Sequence, residues 1–238
     1  MDLKDKIAIV TGASKGIGRA TAVALAREGA HVAISARSKE MLQQVGKEIE
    51  DLGRKAFVFA GDMAKEDEIR DFITRTAAHF GELHILVNNA GLGVFANVAD
   101  LSTEAWDKMF DLNVRGLFIA TRESLPYLRK AGESAVINVS SLAGKNSFIT
   151  GGGYAATKHA VMAFSRCLML EERKNGLRVL AICPGSVNTE FAAGRRDAYD
   201  PKNARILQSE DVASSIIHML KLPQNAMLSE LDLRPSNP

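Results

Sequence analysis

Two cysteines, one tryptophan and six prolines are all that the 238 residues hold of these three types. Cys167 and Cys183 are too few for a disulfide framework, which points to a reducing compartment. No apolar run approaches the ~20 residues that a membrane span needs. The opening Met1-Asp2-Leu3-Lys4-Asp5-Lys6 has no apolar signal region, so a soluble, cytoplasmic protein without a membrane partner is expected. Charge of one sign is missing too, since 30 Lys and Arg face 28 Asp and Glu for a net +2. With no basic run or aromatic–basic stripe, no nucleic-acid partner is expected. The histidines at 31, 79, 84, 159 and 218 show no ligand spacing and neither cysteine neighbours one, so no metal site is expected. A Gly-Lys-Ser/Thr triplet is absent, which disfavours a P-loop and triphosphate hydrolysis.

What the chain does have is 46% apolar residues in a regular alternation. Short β-rich runs at 7–10, 31–36, 56–60, 83–88, 135–139, 177–183 and, more weakly, 227–233 are separated by amphipathic stretches at 16–28, 39–52, 66–80, 103–130, 153–174 and 209–221. Strands alternating with helices of this size predict βαβ units and a parallel sheet covered on both faces. Runs such as Ile85-Leu86-Val87 fit strands buried on both sides. The expected architecture is α/β: a Rossmann-type, doubly wound, mostly parallel sheet of about seven strands in a three-layer αβα sandwich. No linker or compositional break interrupts it, so 1–238 reads as one domain. The segment 190–208 breaks the rhythm with Gly194-Arg195-Arg196 and Asp200-Pro201, and reads as a variable lid over a substrate site.

The first strand runs into Thr11-Gly12-Ala13-Ser14-Lys15-Gly16-Ile17-Gly18, after which a helix begins. Glycines permit the tight turn and the approach of backbone to a phosphate, and the free N–H groups of a helix start attract the anion. The spacing is G-x-x-x-G-x-G rather than G-x-G-x-x-G, and on its own a plain βα turn would look the same. After the second strand comes Ser35-Ala36-Arg37-Ser38, without the carboxylate that would bond the ribose hydroxyls of NAD. Arg37 offers a charge-assisted fork to a 2′-phosphate, with Lys15 as a second cation. NADP(H) is therefore expected over NAD(H), the alternative being that both are solvated surface cations.

Tyr154 and Lys158 stand four residues apart, on one face of a predicted helix, with Ser141 thirteen positions upstream. A phenol has a pKa of ~10; a neighbouring cation lowers it towards the working range of an acid/base catalyst. Hydride reaching a carbonyl carbon leaves negative charge on oxygen, and donors held ready there, such as the Ser141 and Tyr154 hydroxyls, stabilise it.

Taken in order, Thr11-Gly12-x-x-x-Gly16-x-Gly18, Asp62-Met63, Asn88-Asn89-Ala90-Gly91, Asn113, Ser141, Tyr154-x-x-x-Lys158 and Pro184-Gly185 resemble the motifs of a single-domain short-chain dehydrogenase/reductase over about 6–234. The resemblance implies a catalytic set of Asn113, Ser141, Tyr154 and Lys158. Tyr154 would pass the proton, Lys158 would hold the nicotinamide ribose and lower the Tyr154 pKa, Ser141 would hold the carbonyl oxygen, and Asn113 would anchor a water chain. For NADP(H) it implies Gly12, Ser14, Lys15, Gly16, Ile17, Gly18 and Arg37. Asp62 and Met63 would sit at the adenine, Asn89, Ala90 and Gly91 along the adenosine wall, and Pro184, Gly185, Val187 and Thr189 at the nicotinamide carboxamide. It further implies a homodimer or homotetramer through the helices at 103–130 and 153–174. The expected activity is carbonyl reduction or the reverse alcohol oxidation on a small-molecule substrate. A 3-oxoacyl-[acyl-carrier-protein] reductase shares these motifs, with Arg195 and Arg196 as candidates for a basic mouth. A non-catalytic NADP(H) sensor would be expected to lose Tyr154 or Lys158. The substrate pocket is expected from 92–95, Leu142, Phe148 and 190–208, and suggests a partly hydrophobic substrate.

Overall fold

The computed structural model describes residues 1–192 and 205–236. Most of the expected lid, 193–204, and with it Arg195 and Arg196, lies outside the described residues. The strands are β1 (Ile7–Thr11), β2 (His31–Ala36), β3 (Ala56–Ala60), β4 (Ile85–Asn88), β5 (Ser134–Val139), β6 (Leu177–Pro184) and β7 (Glu230–Leu233). The helices are α1 (Gly16–Arg27), α2 (Lys39–Asp51), α3 (Glu66–Phe80), α4 (Thr103–Phe110), α5 (Leu117–Lys130), α6 (Gly152–Glu172) and α7 (Ser209–Lys221). The strands form one sheet in the order β3-β2-β1-β4-β5-β6-β7, and every neighbouring pair is parallel.

Alternation along each strand sorts the core into two layers. Ala8, Val10, Val32, Ile34, Ile85, Val87, Ile137 and Ile182 pack with Leu25, Leu42, Ile49, Val212 and Ile216 of α1, α2 and α7. Ile7, Ile9, Ala33, Leu86, Val136 and Val179 pack on the other face with Phe72, Ile73, Ile119, Leu128 and Leu168 of α3, α5 and α6. Both faces being covered explains why the central strands read as unbroken apolar runs. Strand β7 is a half-exposed edge strand, which is why its pattern is the weakest. It pairs only from Glu230 to Leu233, against Ala181–Pro184 of β6, so it is shorter than the run at 227–233.

The stretch at 103–130 reads as one helix but is interrupted. Asp111–Gly116 is π-helical between α4 and α5, a distortion common at functional sites. It carries Asn113, and a Cβ added to Gly116 would lie 2.0 Å from the Met63 carbonyl oxygen, so only glycine allows this approach. No helix among the described residues is long and apolar enough to cross a membrane.

The chain moves outward from β1 through β2 to β3 and then returns to place β4 on the other side of β1. Such a reversal opens a crevice beyond the carboxyl ends of the two strands, where open α/β sheets bind ligands.

Candidate active site

A cleft of about 1520 Å³ occupies that crevice. Its first wall is the turn between β1 and α1. Gly12 and Gly16 hold φ of +66° and +56°, in the left-handed region that favours glycine. A Cβ on Gly18 would fall 2.3 Å from the Gly12 carbonyl oxygen and 2.5 Å from Asn89 Nδ2. The turn is fastened to the end of β4. Asn89 Nδ2 donates to the carbonyls of Thr11 (2.9 Å) and Gly12 (3.1 Å). Thr11 Oγ1 accepts from the Asn89 and Ala90 amides, both at 3.0 Å.

The start of α1 is bare, as is that of α6 on the opposite wall, whereas most other helix starts carry a cap or an acid. Ser38 and Ser102 cap α2 and α4 by accepting from the amides of Met41 and Ala105. Helix α3 has Glu66, Asp67 and Glu68 in its first turn, and α7 has a Gln208–Asp211 capping box. Helix α1 has neither a side-chain cap nor an acid in its first turn. Its free N–H groups and positive dipole end open at Gly16 and Ile17 onto the cleft. That fits the pyrophosphate of a dinucleotide.

The opposite wall carries the acid/base candidates. Tyr154 lies in the first turn of α6 and Lys158 one turn later. Gly153 lets that helix start press on α4, since a Cβ there would be 2.5 Å from Met109 Cε and 2.8 Å from Leu101 Cδ2. Tyr154 is buried against the rings of Phe95 and Phe191, with centroids at 5.5 and 5.7 Å. Lys158 is also buried, donates from Nζ to the Val139 carbonyl at 2.9 Å, and holds that ammonium 5.7 Å from the Tyr154 ring centroid. Ser141 lies beyond β5; its hydroxyl accepts from the Ala143 amide at 3.1 Å and contacts the Pro184 carbonyl at 3.4 Å.

Asn113 holds these parts together from behind the cleft. Its Oδ1 accepts from the Leu92 amide and its Nδ2 donates to the Leu92 carbonyl, each at 2.8 Å, and to Thr157 Oγ1 at 3.0 Å. Thr157 in turn donates to the Tyr154 carbonyl at 2.8 Å. A Cβ on Gly91 would lie 3.2 Å from Asn113 Oδ1 and 3.8 Å from Lys158 Nζ, so both polar groups flank the same glycine.

Of the residues singled out in the sequence, Gly12, Ser14, Lys15, Gly16, Ile17, Asn89, Gly91, Ser141, Tyr154, Lys158, Pro184, Gly185, Val187 and Thr189 line the cleft. Gly18, Arg37, Asp62, Met63, Ala90 and Asn113 do not. Arg37 follows β2, exposed and without an ion pair among the described residues. Asp62 Oδ1 accepts from the Ala64 amide at 3.0 Å, and Met63 is buried in the core. The cleft also takes in Arg19, Met41, Gln44 and Glu48 between α1 and α2, where Arg19 grips Glu48 with bonds of 2.8–3.2 Å. The i, i+3, i+7 spacing of Met41, Gln44 and Glu48 on α2 was the available signal for that lobe. Lys15 is engaged by Glu190, which ties the glycine turn to the chain after β6. Trp106 stacks on Phe110 at 4.7 Å. Burial pushes the Cys183 thiol up to about 11, where it is a poor nucleophile.

Burial of Lys158 pushes its ammonium down to about 8. A folded-state pKa below the unfolded value of 10.5 means that the native state binds fewer protons between those limits. Stability linked to this group therefore rises with pH from about 8 to about 10.5, and the full penalty is present below 8. The penalty is about 3 kcal/mol, against about 1 kcal/mol for the Val139 hydrogen bond. Lys158→Met should thus be more stable than wild type at pH 7, by about 1–2 kcal/mol, and the gap should close between pH 8 and 10.5. Thermal unfolding across that range is the check; a wild type that is the more stable at pH 7 would refute it.

Comparison with known proteins agrees with this geometry. The short chain dehydrogenase family matches residues 6–200. An uncharacterized oxidoreductase of Staphylococcus epidermidis is 32% identical over 233 residues, covering 98% of either chain. A glycine betaine reductase of Emericella nidulans is 35% identical over 98% of this chain, a match that takes in 19% of that longer protein. Among solved structures, an alcohol dehydrogenase from the archaeon Thermococcus sibiricus, complexed with 5-hydroxy-NADP, superposes with a TM-score of 0.92 at 31% identity, covering 99% of this chain and 98% of its own. With its doubly wound sheet, glycine turn and Tyr154–Lys158 pair, the chain belongs to the short-chain dehydrogenase family of oxidoreductases.

Proposed function

We propose that this oxidoreductase uses NADP(H) to interconvert a carbonyl and a secondary alcohol, with Tyr154 as the general acid/base. The observation that carries the reading is the buried Tyr154–Lys158 pair in the same cleft as the uncapped start of α1. Bound nicotinamide supplies or accepts the hydride. The protein's part is to place and move the proton. As charge gathers on the carbonyl oxygen, Tyr154 donates its hydroxyl proton, and the Ser141 hydroxyl donates a second hydrogen bond there. The Lys158 ammonium stabilises the phenolate left behind. Asn113 fixes the start of α6 through Thr157, and with Lys158 it flanks Gly91, where water can return the proton.

For the cofactor, the glycine turn with Ser14 and the α1 amides take the pyrophosphate, and Lys15 and Arg37 take the 2′-phosphate. Asp62, Met63, Asn89, Ala90 and Gly91 serve the adenosine end, and Pro184, Gly185, Val187 and Thr189 the carboxamide. The NADP analogue bound by the archaeal alcohol dehydrogenase supports the choice of NADP(H). An oligomer through α5 and α6 fits the exposure of Phe118 and Leu170 on those helices.

Lys15 is already engaged by Glu190, whereas Arg37 is exposed and has no ion pair among the described residues, so Arg37 is the cation to test. A hydrogen bond to a charged group contributes about 1.5–3 kcal/mol. Arg37→Ala should therefore raise the NADPH dissociation constant by roughly 10- to 100-fold and change that of NADH little. Titration by nicotinamide fluorescence reads both, and equal effects would remove the 2′-phosphate assignment.

A further inference from the structure

The lining near Tyr154 is unusually aromatic, and its composition bears on the substrate. Phe148, Phe95, Tyr154 and Phe191 form a continuous row, with successive ring centroids 6.0, 5.5 and 5.7 Å apart. These separations are those of rings packed on one another, so the row is a wall rather than a cage with room for a guest at its centre. Glycines make the packing possible. A Cβ on Gly93 would sit 3.0 Å from both Phe95 Cζ and Phe191 Cζ, and one on Gly151 would be 2.5 Å from Phe148 Cζ.

The wall continues to the surface. Phe148 and Phe191 are themselves partly exposed, and Val94, Val98 and Ile149, from the same two stretches of chain as Phe95 and Phe148, are exposed, Ile149 to 87%. Contiguous apolar exposure of this kind marks a ligand groove or a contact surface. The two segments that supply it are fastened together, with the Ala96 amide donating to the Thr150 carbonyl at 3.0 Å. Thr150 holds φ at +68°, a left-handed conformation that a β-branched residue rarely adopts. Strain of this sort persists where surrounding structure enforces it, and ligand clamps are one such place.

Charge points the same way. The stretches 92–98 and 146–153 contain no Asp, Glu, Lys or Arg. The charged lining residues among the described ones are Lys15, Arg19, Glu48, Lys158, Glu190, Arg205, Glu210 and Arg234, and none of them belongs to those two stretches. A carboxylate laid on the rings of Phe148 and Phe95 would lose hydration to a face that repels negative charge.

We infer, resting on the reductase reading above, that the substrate is a neutral carbonyl compound bearing an aromatic ring. Its ring lies along Phe148, Phe95 and Phe191, and its carbonyl reaches Tyr154 and Ser141. Small oxo acids and bare short ketones lack the ring and gain nothing from the wall.

The test is a series with NADPH: 4-phenylbutan-2-one, butan-2-one and 2-oxobutanoate, with a 3-oxoacyl thioester as a further arm. Burying a ring-sized apolar group changes affinity roughly 10- to 100-fold. The phenyl ketone should exceed butan-2-one in kcat/KM by that factor, with 2-oxobutanoate no better than butan-2-one. In Phe148→Ala the ratio of phenyl ketone to butan-2-one should shrink severalfold. Equal kcat/KM for phenyl ketone and butan-2-one, a preference for the oxo acid or the thioester, or a ratio unmoved in Phe148→Ala would overturn the inference while leaving a working reductase. Absence of NADPH consumption with every member of the series would instead overturn the reductase reading on which the inference rests.

Discussion

Tyr154→Phe should lower NADPH-linked carbonyl reduction by about 10²- to 10⁴-fold, the range of a general acid contribution. The substitution removes one oxygen and keeps the ring, so the contacts with Phe95 and Phe191 at 5.5 and 5.7 Å survive. Lys158 retains its bond to the Val139 carbonyl. NADPH affinity should then stay near wild type, and the loss should fall on kcat rather than on cofactor binding. A deficit shared equally by cofactor affinity would mean that the hydroxyl shapes the site, and undiminished turnover would remove Tyr154 from the chemistry.

Gly18→Ala should produce the other large effect, at the opposite end of the cleft. A Cβ there cannot coexist with the Gly12 carbonyl at 2.3 Å and Asn89 Nδ2 at 2.5 Å. Either the glycine turn moves or Asn89 lets go of Thr11 and Gly12, and both displace the amides at the start of α1. The overpacking costs about 1–3 kcal/mol of stability, and a displacement of ~1 Å at a binding cradle costs about 100-fold in function. NADPH affinity should fall by that order. Gly53→Ala is the control: its φ of +74° strains an alanine, yet nothing lies within 4 Å of the added carbon. It should lose a little stability and no cofactor affinity. If Gly18→Ala binds NADPH as wild type does, the turn is not the pyrophosphate cradle.

Much of this was legible because it depends on local rules. The periods of two and 3.6 residues located β2, β3, α3 and α7 to the residue, since each is bounded by turn residues or caps. The glycine turn and the Tyr154–Lys158 spacing are read along one stretch of chain, so their placement in one cleft needed only the parallel topology. What failed was longer in range. The π-helical break at Asp111–Gly116 ends on Gly116, which packs on the Met63 carbonyl, a contact between residues remote in sequence. The same is true of the Lys15–Glu190 pair and of the Arg19–Glu48 lobe, whose partners meet only across the fold. The aromatic wall draws on 92–95, Phe148 and 190–208, segments already expected around the substrate, and only the packing of their rings on Tyr154 is a contact across the fold.

The most direct test of the account follows the hydride itself. The enzyme is given NADPH carrying deuterium at the transferring position of the nicotinamide, together with 4-phenylbutan-2-one, and the product is examined for label. An alcohol with deuterium on the carbinol carbon, in an amount matching the NADPH consumed, is the expected result. Tight NADPH binding with no labelled alcohol from this or any other carbonyl would contradict it, and would leave an intact Tyr154–Lys158 pair in a protein that only senses the nucleotide.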